Sequence, residues 1–259
     1  MKLKIFSFML LVLAMAFTSC KKESTITNSI PVAPVTPNER LLLSVTGMNS
    51  NYSFEYNSDR TVKSYTWGGG TLKGSFSYPA NKLVIIYYDN NVKNSDYVFE
   101  LSNGIAQKQT SNNYAINGTI IDTYVNLYSY NAGGQLIKET FTKNAVNGGS
   151  VDWSYDNNGD LSGLTVKDQN GIITWQSTYE YDLSLLDKSV SYGQFNSVGA
   201  GSVFPKKAKH LIKKQTTIEN NITKTYNYTY TLDAQGYVLT AIVKDNANVL
   251  ADNWTNTWQ

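Results

Sequence analysis

One phrase recurs along this chain: two aromatic residues at i and i+2, a polar turn, then a short apolar run. It reads YSFEYNSDRTV at 52–62, FSYPANKLVI at 76–85, YVFELSNGIA at 97–106 and YSYNAGGQLI at 128–137. It returns as WSYDNNGDLSGL at 153–164, YEYDLSLLD at 179–187 and YTYTLDAQGYVL at 228–239, after an insertion at about 183–208. Self-similarity at such a spacing means a repeat architecture. Each copy reads as a strand, a turn and a return strand. Alternation supports this: Ile173, Trp175, Ser177, Tyr179 and Tyr181 share one face, and Thr174, Gln176, Thr178, Glu180 and Asp182 the other. That is the pattern of antiparallel strands with one buried face. Nineteen tyrosines in a chain poor in Ala, Glu and Leu also favour strands.

Asn103-Gly104, Asn117-Gly118, Asn158-Gly159 and Asn170-Gly171 predict tight type I′ hairpins, because Asn tolerates and Gly readily adopts positive φ. About fifteen strands follow, joined as a meander, with a helical turn or two expected only at Leu183–Asp187 and Lys206–Leu211. So many twisting strands cannot stay flat. The expected fold is all-β: one strongly curved sheet or a partly closed barrel or roll, with tyrosines inside. Outward positions are mostly Thr, Asn, Ser, Lys and Glu, which argues against a barrel embedded in lipid.

The start of the chain carries an address. Lys2 and Lys4 precede an apolar run from Ile5 to Phe17, then Thr18, Ser19 and Cys20. This is a secretory signal peptide, too short for a transmembrane helix. Phe17-Thr18-Ser19-Cys20 resembles a bacterial lipobox, in which the cysteine is lipidated and begins the mature chain. The reading is signal peptide 1–19, lipidated Cys20 and tether 20–38, and one repeat-built β domain 39–259. Pro31, Pro34 and Pro37 make the tether extended. The implied place is the outer membrane, facing the periplasm or the cell surface, with the membrane as a partner through the N-terminal lipid.

YSYNAGGQL, WSYDNNGDL and YTYTLDAQGYVL resemble the tyrosine–aspartate repeats of Rhs-type proteins, with Tyr155, Asp156, Gly159 and Leu161 matching most closely. A closer resemblance is to a family of bacterial (gram-negative) lipoproteins of unknown function with a porin-like β fold. It rests on the lipobox, the repeats, the late FPKKAKHLIKK insertion and the terminal hairpin at 228–237. It implies a fold and a location, and no activity.

The residues narrow the chemistry. Lys2 and Lys4 lie in the leader, so the remaining basic residues balance the acidic ones, and no basic field recruits nucleic acid. The cluster Lys206, Lys207, Lys209, Lys213 and Lys214 reads as a solvated loop and strand edge. Cys20 is the sole cysteine and His210 the sole histidine. A nucleophile–base pair and a zinc site both lack their parts, and His210 reads as a surface or structural residue. Asp152, Asp156, Glu180 and Asp182 could only serve a carboxylate-dependent glycosidase, and they alternate with the aromatic positions. Asp156, Asn157, Asn158 and Asp160 have a calcium-like spacing but read as a turn. No cofactor is expected. The aromatics are the candidates for binding: Trp67, Trp254 and Trp258 as stacking platforms for sugar rings, with Trp153 and Trp175 in the core. The expectation is a non-enzymatic binding or interaction module whose partner is a glycan or an envelope protein.

Overall fold

A computed structural model describes residues 40–48, 51–188, 203–205 and 208–259. Cys20, the signal peptide and the tether lie outside the described residues. The strands, in chain order, are β1 (Leu42–Gly47), β2 (Asn51–Tyr56), β3 (Val62–Trp67), β4 (Leu72–Ser77), β5 (Lys82–Asp89) and β6 (Val92–Ser102). They continue as β7 (Ile105–Tyr114), β8 (Ile120–Tyr130), β9 (Leu136–Lys143), β10 (Val146–Tyr155) and β11 (Leu161–Lys167). The last are β12 (Ile173–Leu186), β13 (His210–Glu219), β14 (Ile222–Leu232), β15 (Val238–Asp245) and β16 (Leu250–Trp258). Each pairs antiparallel with its neighbours in sequence, and β1 pairs with β16, so the meander closes into a barrel. The sequence reading of a curved sheet or partly closed barrel is therefore met by full closure, with sixteen strands instead of about fifteen.

Closure is tight at the seam. Leu41 and Gln259 exchange both backbone hydrogen bonds, at 3.0 and 2.8 Å. At Gly47 the strands approach so closely that a Cβ would sit 1.9 Å from the Asn253 carbonyl oxygen. Only glycine fits there.

Cross-strand partners share a face, and the register carries the aromatic alternation inward all round. Phe76 faces Ile85, Ile85 faces Tyr97, Val151 faces Val166, and Tyr228 faces Val243. The outer face reads Ser53 opposite Thr66, Thr165 opposite Gln176, and Thr231 opposite Thr240. Its polarity is interrupted on β5–β8 by Val84, Ile86, Val98 and Leu127, and on β13 and β15 by Ile218 and Ile242.

The repeat has a physical cause. In six of the seven copies a tyrosine in the second half of an even strand, or just past its end, donates its hydroxyl to a carbonyl near the start of the preceding odd strand. Tyr56 reaches Leu42, Tyr78 reaches Val62, and Tyr130 reaches Ala106. Tyr155 reaches Leu136, Tyr181 reaches Leu161, and Tyr230 reaches Ile212. Trp258 Nε1 does the same to Val238 at 2.8 Å. These acceptors lie at register shifts, where a bulge turns the carbonyl out of the ladder. Six of the seven copies are thereby clamped to the preceding strand; the copy at 97–106 carries Leu101 at that place.

Two local expectations need correction. Of the four Asn-Gly pairs, only Asn103-Gly104 has positive φ at both residues. Asn117-Gly118, Asn158-Gly159 and Asn170-Gly171 sit in longer turns where glycine alone is left-handed and the first turn residue bonds the last, as in Asp156 N–H to Asp160 O at 2.8 Å. Leu183–Leu186 is strand, not helix, because β12 runs on to pair Leu186 with His210 across the insertion. His210 and Leu211 likewise open β13; Lys206 and Lys207 lie outside the described residues.

Candidate functional site

The barrel has two unlike ends. At the terminal end lie the start of β1, the end of β16 and the β12–β13 insertion. Here the interior is filled: Leu83, Ile85 and Phe99 are 0% exposed. The insertion supplies the filling. Val203 is buried in the same cluster, and Phe204 meets Phe99 edge-on at 5.9 Å and Tyr128 at 4.9 Å. Phe204 also packs on the cluster of Leu136, Trp153, Leu161 and Leu164 across the barrel.

Asp160, buried, fixes where the insertion rejoins the wall. It accepts from the backbone N–H groups of Lys209 and His210 and bonds the His210 ring at 2.7 Å. Burial pushes its carboxyl up, but hydrogen bonds from the His210 ring and the two N–H groups more than offset this and hold it below its ordinary value. His210 is a structural partner of Asp160.

At the open end the interior is a cup. Its inward-facing Trp67, Asp122 and Lys143 side chains keep partial exposure, as the width of a sixteen-stranded barrel allows, and no insertion reaches this half among the described residues. Ring contacts here join neighbouring parts of the wall: Tyr52 stacks on Trp67 at 6.0 Å, Tyr65 meets Tyr87 at 5.9 Å, and Tyr87 meets Tyr97 at 5.1 Å. Gly74 makes room for the second contact, since a Cβ there would lie 2.5 Å from the Tyr65 ring. Burial pushes the Tyr65 hydroxyl up to about 12.

The opposite wall is more polar. Register puts Asp122, Glu139, Lys143, Glu219, Lys224 and Asp252 on the inner face. Asp122 pairs with Lys143 at 2.9 Å, and Lys143 sits 5.4 Å from the Tyr124 ring centre. Its hydrogen bond from Lys143 lowers the Asp122 carboxyl. Asn126 donates to Glu139 at 2.6 Å. A belt of amide and hydroxyl groups crosses the middle: Tyr128 donates to Gln109, Tyr228 to Gln215, and Gln215 to Ser177. Flat aromatic faces beside carboxylates and amides suit a ligand with both apolar faces and hydroxyl groups.

The sequence candidates fall out unevenly. Trp67 stands at the rim of the cup, 40% exposed. Trp254 faces inward on β16, half-buried against Leu211, Val238 and Ala241. Trp258 is no stacking platform: it is 8% exposed, packed on Tyr237 at 5.1 Å, with its N–H spent on Val238. The carboxylates weighed for catalysis face outward, where Asp152 pairs with Lys167 at 2.6 Å and Glu180 with Lys214 at 2.7 Å. Asp156 caps its own turn through the N–H groups of Asn158 and Asp160. The lining residues Tyr52, Tyr124, Asp122 and Lys143 were not singled out from the sequence. Alternation gives their face; only closure shows which half of each strand borders water.

Two solved structures have this architecture. A porin-like protein from Bacteroides uniformis is 18% identical with a TM-score of 0.61, over 85% of this chain and 94% of its own. A porin-like protein from Bacteroides vulgatus is 14% identical with a TM-score of 0.62, over 83% and 97%. The shared feature is the fold alone. No family model matches the sequence, and no curated protein does.

Proposed function

We propose that this chain is a non-enzymatic, lipid-anchored protein of the bacterial outer membrane, facing the periplasm or the cell surface, and that its barrel is a binding module. The lipobox-like Cys20 after an apolar leader supports the anchor. The observation that carries the binding role is the contrast between the ends: one packed shut by Val203 and Phe204, the other a cup of aromatic faces and carboxylates. A polar outer face suits water around the barrel. Two porin-like neighbours of the same fold agree with an envelope location.

A glycan is the ligand that suits the cup. Trp67 on Tyr52 offers a flat rim platform, and Asp122, Glu139 and Asn126 offer acceptors and donors for sugar hydroxyls. Saturable binding to members of a broad glycan panel, weakened at least tenfold by Trp67→Ala, is the expected result. Absence of binding across the panel would refute the glycan reading. Mass analysis of the N-terminal peptide tests the anchor separately: acyl chains on Cys20 are expected, and an unmodified Cys20 would refute it.

A further inference from the structure

On the glycan reading given above, we infer that the cup selects for cations and that the sugar it takes carries free amines. The chain outside its leader is close to neutral, yet the barrel sorts its charges by face. On the outer wall carboxylates stand beside lysines: Glu100 pairs with Lys108 at 2.9 Å and Asp96 with Lys93 at 2.6 Å, as Asp152 and Glu180 do with theirs. The inner face of the open half carries Asp89, Asp122, Glu139, Glu219 and Asp252 against two lysines among the described residues, Lys143 and Lys224. Among the described residues, Asp89, Glu219 and Asp252 have no lysine or arginine within ion-pair distance. A concave surface lined mainly by one sign, with a protein wall behind it, focuses its field into the opening and concentrates the opposite charge there.

The wall itself shows how an amine is held. The Lys143 ammonium lies 2.9 Å from Asp122 and 5.4 Å from the Tyr124 ring centre. Lys93 repeats the device on the outer wall, 2.6 Å from Asp96 and 4.0 Å from the centre of the Tyr114 ring. A carboxylate with an aromatic face beside it attracts an ammonium through charge and through the ring quadrupole. Elsewhere in the cup the carboxylate and the ring stand together without an ammonium between them. Glu219 is directly opposite Trp175, and the side chains of such a pair start about 5 Å apart. Asp252 faces Val243, whose other partner on the inner face is Tyr228. Asp89 shares a row with Trp67, the two meeting across Leu72. A ligand ammonium would complete each of these places, whereas a neutral ligand leaves their charges to repel one another. Glu219 on β13 and Asp252 on β16 are three strands apart, roughly 14 Å along the wall at about 4.8 Å per strand. An oligomer with repeated amines spans that distance, and a single sugar does not.

The test uses the full mature chain carrying Cys20→Ser, so that no acyl chain contributes. Calorimetric titration compares oligomers of glucosamine and of N-acetylglucosamine of equal length, at about pH 6, where the free amines are protonated. The rings are alike and the charge differs. The glucosamine oligomer is expected to bind at least about tenfold more tightly. That preference should vanish in about 1 M salt, where the screening length is about 3 Å. Glu219→Gln combined with Asp252→Asn should cut it by at least about threefold while leaving the urea midpoint unchanged. Equal binding of the two oligomers, or tighter binding of the acetylated one, overturns the inference and leaves the glycan reading standing. A preference that the double variant keeps in full also overturns it. Spermine, an amine without a sugar ring, separates the two readings. If it binds as tightly as the glucosamine oligomer, is weakened by the double variant and ignores Trp67→Ala, the charge selection holds and the glycan reading falls. No binding of any of the three overturns both.

Discussion

Removing the Asp160 carboxylate should unlatch the insertion from the barrel wall. Asp160 is 0% exposed and serves three donors: the N–H groups of Lys209 and His210 and the His210 ring at 2.7 Å. Net contributions of hydrogen bonds to a charged group run about 1.5–3 kcal/mol, and stranding one member of a buried pair costs about 3–5 kcal/mol. Asp160→Ala is therefore expected to lose about 3–5 kcal/mol. Asp160→Asn, which keeps one acceptor oxygen, should lose less, about 1–2 kcal/mol. Urea unfolding followed by tryptophan fluorescence measures both. His210→Ala and the double variant complete a cycle, with a coupling of at least about 1 kcal/mol expected for groups in direct contact. The pH dependence has a definite sign. The folded carboxyl lies below its ordinary 3.8, so its contribution is present above that value and lost as pH falls through the folded value. Asp160→Ala should accordingly show a shallower acid loss than the parent. A loss below 1 kcal/mol, or strict additivity with His210→Ala, would refute the latch.

Tyr155→Phe removes the hydroxyl bonded to the Leu136 carbonyl at 2.9 Å and should cost about 1 kcal/mol in urea unfolding, as should Tyr181→Phe; no change at either would deny the clamp a role in stability. Gly74→Ala puts a Cβ 2.5 Å from a Tyr65 ring wedged among Phe54, Phe76 and Tyr87, so a loss of about 1–3 kcal/mol with an altered near-ultraviolet signal is expected, and wild-type values would show that the wall yields. Burial pushes the hydroxyls of Tyr65, Tyr155 and Tyr228 up to about 12 from 10.0. Their contribution is therefore intact below pH 10 and lost between 10 and 12, and tyrosinate absorbance should rise together with loss of the strand signal. Ionisation of all tyrosines near pH 10 with the fold intact would contradict it.

Much of the fold was legible in the chain because a strand's period of two is local. Trp175, Ser177 and Tyr179 announced their inner face without reference to any other strand, and the structure keeps them there. The repeat was legible for the same reason, although its cause was not: the tyrosine–carbonyl clamp joins one copy to its predecessor across a bulge. Turn geometry was misread where Asn-Gly alone served as the guide, since loop length decides whether one residue or both become left-handed. The helical turn expected at Leu183–Asp187 failed because the partner that extends β12 starts at His210, beyond the insertion. Trp258 looked like a terminal, available aromatic. It is buried because its strand is the one that closes the barrel against Leu42.

Spacing along one segment is enough to set the strands, their faces, the repeat and a mostly polar exterior. Tertiary structure alone decided that the sheet closes, that Phe204 packs one end shut, and that Asp122, Lys143 and Trp67 border a cup at the other. Those outcomes depend on pairings between distant parts of the chain, Leu42 with Trp258 and Asp160 with His210. Local periodicity cannot encode them, because it fixes which way a side chain points and leaves open what stands opposite.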